Sequence, residues 1–149
     1  MKLGKLYRRI QQLQTPLNPI LEDVLKDSSL QAQIVDLNQS QLYDQGIQAD
    51  GTPTGDYAQI TIDKYKPLAG YEGRDSRSDH ITGKDTGETY DSMKVSTGSE
   101  GFVITADDRN DFFEREPKGL GLTTESLNEI LPEIKESFIQ KYKKAIAFA

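Results

Sequence analysis

The chain has 149 residues, which suits one domain, and 35% of them are hydrophobic, which favours a modest core. Its formal net charge is -6, and its lysines and arginines form no run long enough to give the basic face that nucleic-acid binding uses. The absence of cysteine excludes disulfides, thiolate metal ligands and a cysteine nucleophile, and no run of about 18 apolar residues is present to cross a membrane.

Residues 1–18 are predicted to form an N-terminal helical arm. Apolar residues recur there at helical spacing, at Leu3, Leu6, Ile10 and Leu13. Pro16 and Pro19 end this pattern, because proline has no backbone N–H to donate within a helix. Proline is tolerated in a first helical turn, so Pro19 is expected to open a short second helix that runs through Leu25. The arm lacks the apolar stretch of a secretory signal.

A longer helix is predicted over residues 28–46. Asp27 or Ser28 has a side chain suited to cap its first turn, and Gly46 is suited to end it in the left-handed conformation. The apolar face of this helix carries Leu30, Ile34, Leu37 and Leu42. Gln41 interrupts the apolar row, and the polar face is rich in glutamine.

Residues 47–106 are predicted to contain short strands and a long loop. Turn-forming residues are frequent, and the stretches 57–62, 90–95 and 101–106 are rich in β-branched and aromatic residues. Residues 97–101 favour a hairpin turn between the last two strands. The stretch from Leu68 to Asp79 is the most polar part of the chain, so we expect a long, mobile loop that is disordered alone or ordered by a partner.

The last third of the chain is predicted to return to helix. The stretch Asp107 to Arg115 is expected to be a short helix or turn, and residues 122–147 form a C-terminal helix with an apolar stripe. Thr123 or Thr124 is suited to cap this helix. Pro132 lies inside the pattern and is expected to kink the helix or to mark its start near Leu131.

These elements predict an α+β fold in a single domain spanning residues 1–149. A small antiparallel sheet with a long loop would be packed by a helix from the N-terminal half and by the C-terminal helix. The helices from residue 30 to 45 and from 127 to 146 would cover the sheet.

The sequence offers no convincing catalytic, cofactor or metal site. His80, the only histidine, lies beside Asp79, and a lone histidine in a polar loop is expected to be solvated. Three carboxylates follow the third predicted strand: Asp107, Asp108 and Asp111. They do not have the spacing of an EF-hand, and a helix N-cap at Asp107 or Asp108 explains them more simply. We therefore expect no enzyme, and a metal-dependent enzyme using these carboxylates is the less favoured alternative.

Two blocks of sequence carry a family resemblance. The first block runs from Leu42 to Gly51 and continues through Gly55-Asp56-Tyr57 and Thr61-Ile62. The second runs from Ile81 to Ser92 and contains Asp85-Thr86-Gly87-Glu88-Thr89-Tyr90-Asp91-Ser92. Together with Gly119-Leu120-Gly121-Leu122-Thr123 and the final helix, they resemble the phage virion-morphogenesis and tail-completion family, in the version found in phages and prophages of Bacteroidetes-like hosts.

The resemblance implies a non-enzymatic subunit that assembles into a ring, commonly a hexamer or dodecamer, at the neck between portal and tail tube. It implies partners among other virion proteins, namely the portal or adaptor and the tail tube or tail terminator, and further copies of the chain. The protein would be made in the host cytoplasm and located in the virion. The alternative is another minor virion component, such as a capsid, ring or tail-tip protein.

The loop from Asp50 to Asp85, with Gly87 just after it, is the candidate interaction surface. Its turns are fixed by Asp-Gly and Thr-Gly pairs, and its polar stretch mixes acidic and basic residues. The residues expected to contact a neighbouring subunit are Asp50, Gly51, Tyr57, Tyr71, Arg74, Arg77, Asp85 and Gly87.

Overall fold

The computed structural model describes residues 17–98, 101–108 and 111–147. The fold is α+β. Its helices are α1 (Leu17–Leu25), α2 (Ser28–Ser40), α3 (Lys66–Ala69), α4 (Glu88–Asp91), α5 (Phe112–Arg115) and α6 (Thr124–Ala147), and its strands are β1 (Lys94–Gly98) and β2 (Gly101–Thr105). Two π-helical turns, Gln41–Gln45 and Thr61–Tyr65, follow α2 and precede α3, and a 3-10 turn, Gly70–Glu72, follows α3. Most of the predicted N-terminal arm lies outside the described residues.

The predicted caps of the α2 helix are confirmed. The Asp27 carboxylate accepts a hydrogen bond of 2.9 Å from the Leu30 backbone N–H, which satisfies a free donor of the first turn. At the other end the helix continues through the π-helical turn Gln41–Gln45, and Gly46 follows with a left-handed φ of 64°. This π turn widens the helix just where its side chains begin to contact the loops described below.

The strands form one antiparallel hairpin. Lys94 pairs with Thr105 at its open end and Gly98 pairs with Gly101 at the turn. The predicted strand at 101–106 is therefore confirmed, whereas the predicted strand at 90–95 begins only at Lys94. Its first residues, 90 and 91, belong to α4 instead. Gly87, with a φ of 95°, directly precedes the first turn of this helix, and the Tyr90 side chain is buried in the core.

The predicted strand at 57–62 is wrong. Residues 59–72 form a continuous helical run that includes α3 and its flanking π and 3-10 turns. β-branched and aromatic residues favour a strand only where a neighbouring strand and a buried face are available. Here the sheet consists of β1 and β2, and Ile60 is 60% exposed. The same helical run replaces the first part of the long loop predicted over Leu68–Asp79.

The C-terminal helix α6 is a single helix that starts at Thr124. The Thr123 hydroxyl accepts a hydrogen bond from the Ser126 N–H at 3.2 Å, so the predicted cap at Thr123 is confirmed. Pro132 lies inside the helix and does not mark its start, which corrects that prediction. The carbonyl of Asn128 loses its helical donor at Pro132, but Asn128 is exposed and water can replace that donor.

Two apolar clusters hold these elements together. The larger cluster joins α1, α2, β2 and α6 through Val24, Leu25, Leu30, Ile34, Ile104 and Ile130. The smaller cluster lies between the π turn after α2 and helix α5, and consists of Leu42, Tyr90, Met93 and Phe112. This second cluster supports the loops that carry the candidate site. None of the helices in the described ranges is long and apolar enough to cross a membrane.

Candidate interaction surface

The predicted contact residues Asp50 and Gly51 form a turn that is tied to the loop before α6. Asp50 accepts hydrogen bonds from the hydroxyl and backbone N–H of Thr52, at 2.6 and 3.1 Å, and forms a 2.8 Å ion pair with Lys118. The hydrogen bond from Lys118 is the main reason that the pKa of Asp50 lies below its usual value. Gly51 has a φ of 80° and faces open space. This turn is therefore fixed by contacts within the chain.

Three other predicted contact residues, Tyr57, Arg74 and Asp85, line one pocket. The pocket has a volume of about 260 Å³ and lies between the segment 57–85 and helix α5. Its wall also contains Lys66, Asp75, Lys84 and Arg115. We call it the basic pocket, because it has four basic residues (Lys66, Arg74, Lys84, Arg115) and two acidic ones (Asp75, Asp85). That balance is the reverse of the net charge of the whole chain.

A buried carboxylate, Asp75, organises the inner wall of the basic pocket. Its oxygens accept a hydrogen bond of 2.9 Å from the Tyr43 hydroxyl and lie 3.8 Å from the Lys66 ammonium. The Lys66 ammonium also donates to the Asp75 backbone carbonyl at 3.0 Å, and both side chains are close to nine-tenths buried. The hydrogen bond to Asp75 raises the pKa of Tyr43 above its usual value, with burial as a second cause. We call these residues the Asp75 network.

Lys84 contributes a charged group that no carboxylate neutralises. Its ammonium lies 5.0 Å from the centre of the Tyr43 ring and 5.9 Å from that of Tyr90, within the range of a cation–π contact. Among the described residues it forms no ion pair, so its N–H donors are available to an anion. The two rings restrict where the ammonium can lie.

The arginines of the polar stretch are paired with carboxylates inside the stretch and beside it. Arg74 lies 2.6 Å from Asp85 and 3.1 Å from Glu72, and these two hydrogen bonds raise the pKa of its guanidinium. Arg77 lies 2.7 Å from Asp79, and this bond lowers the pKa of Asp79 to about 2. All of these groups are partly exposed, so each pair stabilises the fold only weakly. Together they fix the conformation of the segment.

His80 has a structural role that the sequence did not predict. Its ring is mostly buried, with 12% of the side chain exposed, so the expectation of a solvated histidine is wrong. The Nε2 atom lies 3.1 and 2.8 Å from the carbonyl oxygens of Leu42 and Tyr43. Carbonyls only accept hydrogen bonds, so Nε2 carries the proton and caps the end of the π turn. The ring packs against Gly46, where a Cβ would come within 2.6 Å of it.

The remaining predicted contact residue, Tyr71, belongs to an exposed apolar stripe. Four large apolar side chains of the helical run 59–72 are exposed: Ile60 by 60%, Tyr65 by 54%, Leu68 by 54% and Tyr71 by 92%. Their spacing of five, three and three residues places them along one side of the run, because its first turn is π-helical and its last is 3-10. Tyr65 also lines the basic pocket, so the stripe and the pocket are adjacent.

The segments that carry the family resemblance meet in the fold. Gln41, the residue just before the first block, is fully buried, and its side-chain amide donates to the carbonyl of Gly121 and accepts from the Thr123 N–H, both at 2.9 Å. Asn38 makes the equivalent pair of bonds to the Gly119 carbonyl at 2.8 Å and the Gly121 N–H at 3.0 Å. These two amides join α2 to the loop before α6.

The second block is tied to the first by similar bonds. The Ile81 N–H donates to the Gly55 carbonyl at 2.9 Å, which joins the two blocks. Within the second block, the Tyr90 hydroxyl donates to the Thr82 carbonyl. Burial is the main reason that the pKa of Tyr90 is raised. Gly87 stands at the start of α4, is buried, and takes no part in the pocket wall.

The acidic cluster after β2 is explained by helix capping. Both carboxylate oxygens of Asp108 accept hydrogen bonds of 2.8 Å, from the backbone N–H groups of Phe112 and Phe113 at the start of α5. This confirms the cap expected at Asp107 or Asp108. Within the described ranges, the acidic and histidine side chains form no group of three that could hold a metal ion.

The residues that define the pocket were largely missed in the sequence. Lys66, Lys84 and Arg115 carry no motif, and Tyr43 and Asp75 are 32 positions apart. A buried ion pair inside the most polar stretch gives no periodic signal, so only the folded chain brings these side chains together. The clearest signal for the pocket in the sequence was the group of tyrosines at 43, 57 and 90.

Comparison of the chain with models of protein families, with curated proteins and with solved structures found no match. The geometry of the pocket and stripe, and the resemblance of the sequence blocks, therefore carry the functional argument.

Proposed function

We propose that this chain is a structural subunit of a tailed bacteriophage, a head–tail connector or tail-completion protein that assembles into a ring at the neck. The apolar stripe Ile60, Tyr65, Leu68 and Tyr71 is the observation that carries this proposal. Four large apolar side chains exposed along one helical run are unusual on a protein that works alone, and such a surface is typical of an interface. Three of its residues, Tyr65, Leu68 and Tyr71, lie between the two sequence blocks that resemble the family, and Ile60 adjoins the Thr61-Ile62 end of the first block.

The contacts around the stripe suit it to rigid association. The Asp75 network and the Arg74–Asp85 pair tie the polar stretch to the body of the protein. A surface that is already ordered loses less conformational entropy when it binds, so more of the contact energy appears as affinity. Burial of the stripe would contribute about 25 cal/mol for each Å² of apolar surface removed from water.

The proposed mechanism is geometric and needs no catalytic residue. A ring requires each copy to present two different faces, one for each neighbour. The stripe and the basic pocket provide one face, and the partners proposed for the finished ring are the portal or adaptor on one side and the tail tube or tail terminator on the other. The proposed location of the protein is the virion.

The experiment that tests this function is deletion of the gene from the phage or prophage genome that encodes the chain. Electron microscopy of the lysate should then show filled heads and separate tails that fail to join. A plasmid copy of the wild-type gene should restore joined particles. Normal infectious particles in the absence of the gene would refute the proposal, and loss of the heads or of the tail tip would instead favour another minor virion component.

A pair of matched variants connects the phenotype to the stripe. Leu68→Asp combined with Tyr71→Asp should fail to restore joined particles, because two charges would have to be buried at the interface. Val103→Asp is the control, since Val103 is 60% exposed on β2, outside the stripe. It should restore particles as well as the wild-type gene does.

A further inference from the structure

A second surface of the chain complements the basic pocket and its apolar stripe. On helix α6, the exposed residues Glu125, Glu129, Pro132, Glu136 and Ile139 recur at spacings of four, three, four and three. At 3.6 residues per turn these positions lie within about 80° of one another. We call this the acidic face of α6. It spans the 15 residues 125–139, whose ends lie about 21 Å apart along the helix at a rise of 1.5 Å per residue.

Three glutamates of the acidic face and one lysine of the basic pocket form no ion pair within the part of the chain that the structure describes. Glu125, Glu129 and Glu136 form no ion pair with any other described residue, and neither does Lys84 in the basic pocket. No residue of α6 lines the pocket, because α6 packs on α1 and α2 while the pocket is built by residues 57–85 and α5. The acidic face and the pocket are therefore both open to a neighbour.

We propose that the acidic face of α6 in one copy docks on the basic pocket and apolar stripe of a second copy. Each surface joins charged groups of one sign to apolar residues. The glutamates would meet Lys84 and the basic wall of the pocket, and Pro132 and Ile139 would cover part of the stripe. Because the two surfaces are different, the contact is head-to-tail, and such a contact repeats from copy to copy until a ring closes. This inference rests on the proposed ring-forming role and names the two faces that meet.

The charges of the chain indicate that the partner bound at the basic pocket is a second copy. The chain is acidic overall, with a net charge of -6, so two copies repel unless a local positive surface receives the acidic one. The basic pocket supplies that surface, and Lys84 is held in place by the rings of Tyr43 and Tyr90 before any contact forms. Opposite charges across an interface also set its register and exclude other orientations.

Charge reversal on each face tests the proposal. One variant carries Lys84→Glu, and the other carries Glu129→Lys together with Glu136→Lys. Each should self-associate at least about tenfold more weakly than wild type in a light-scattering concentration series, because like charges would then face each other. An equimolar mixture of the two variants should regain the wild-type association, since every contact in an alternating assembly again joins opposite charges.

Two controls separate the contact from effects on folding and on net charge. Lys94→Glu changes the net charge as Lys84→Glu does, but Lys94 is an exposed residue of β1 outside both faces, so it should associate as wild type does. Lys84→Gln removes the positive charge without adding a negative one and guards against misfolding of the glutamate variant. It should retain the wild-type melting temperature and lose part of the association, and added salt should weaken the wild-type contact.

Crosslinking tests the same contact without a change of charge. The chain has no cysteine, so Leu68→Cys in one preparation and Ile139→Cys in another place single thiols on the two faces. A short bismaleimide should join the two proteins when they are mixed. A wild-type protein that stays monomeric at all concentrations, or a mixture of charge variants that stays monomeric, would overturn the proposal. Either result would leave the gene-deletion phenotype unaffected, so the failure of this contact and the failure of the proposed function are distinguishable.

Discussion

Replacement of Asp75 by alanine tests how the polar stretch is held. The change removes the carboxylate that pairs with the Lys66 ammonium and accepts the Tyr43 hydroxyl. Removal of one partner from a buried ion pair costs about 3–5 kcal/mol, because the other charge stays buried without compensation. Here the Asp75 backbone carbonyl still accepts from Lys66 at 3.0 Å, so the low end of that range applies. We expect a loss of about 3 kcal/mol.

The loss should be measured by thermal and urea unfolding, followed by circular dichroism. For a chain of this size about 1 kcal/mol lowers the melting temperature by about 2–4 °C, so the expected decrease is about 6–12 °C. Asp79→Ala is the matched control. Asp79 also pairs with a basic residue, Arg77, but it is 58% exposed, so its replacement should lower the melting temperature far less than Asp75→Ala does.

A double variant shows whether the unpaired charge causes the loss. Lys66→Met removes the ammonium, so Lys66→Met combined with Asp75→Ala leaves no buried charge without a partner. The double variant should be no less stable than Asp75→Ala alone, although it differs from wild type at one more buried position. If Asp75→Ala costs no more stability than Asp79→Ala, the Asp75 network does not hold the segment and the reasoning is refuted.

Three further variants test other parts of the frame. Gly46→Ala should reduce stability more than Gly51→Ala in urea unfolding, because both sites have a positive φ but only at Gly46 does a Cβ meet the His80 ring; equal losses would contradict this. The raised pKa of Tyr43 favours its protonated form in the folded state, so the free energy of unfolding should fall as pH rises through and above about 10. Tyr43→Phe should flatten this fall in unfolding curves collected across that range. Gln41→Leu should cost about 2 kcal/mol in the same assay, although leucine is more hydrophobic than glutamine, because two buried backbone groups lose their partners. A stabilised variant would show that water replaces the amide.

Local signals predicted much of the helical frame and the hairpin. Asp27 and Gly46 are placed at the two ends of α2 by the chemistry of their own side chains, and the β2 strand is a β-prone stretch with a neighbouring strand to pair with. The stretch 57–62 has a similar composition but folds as a helix. The sheet consists of β1 and β2, which pair with each other, so the stretch 57–62 does not form a strand despite its composition.

Gln41 shows why the site itself was less predictable. In the sequence it interrupts an apolar row and is assigned to the polar face of the helix. In the fold it is fully buried, and its partners Gly121 and Thr123 lie 80 and 82 positions away. A polar residue at an apolar position indicates a buried hydrogen bond only when the partner is known, and periodicity carries no information about that partner. The same limit applies to Lys66 and Asp75.

The sequence blocks contribute to the frame and to part of the proposed contact surfaces. The Asp50 turn of the first block is tied to Lys118, and the amides of Asn38 and Gln41, just before that block, hold the loop before α6. Lys84 of the basic pocket lies in the second block, whereas most of the apolar stripe lies between the blocks and the acidic face lies on α6. A frame fixed by turns and buried hydrogen bonds can present different side chains on its surface without a change of fold. Resemblance in the blocks is therefore mainly an argument about the frame, and only variants of the two faces test which neighbour the chain binds.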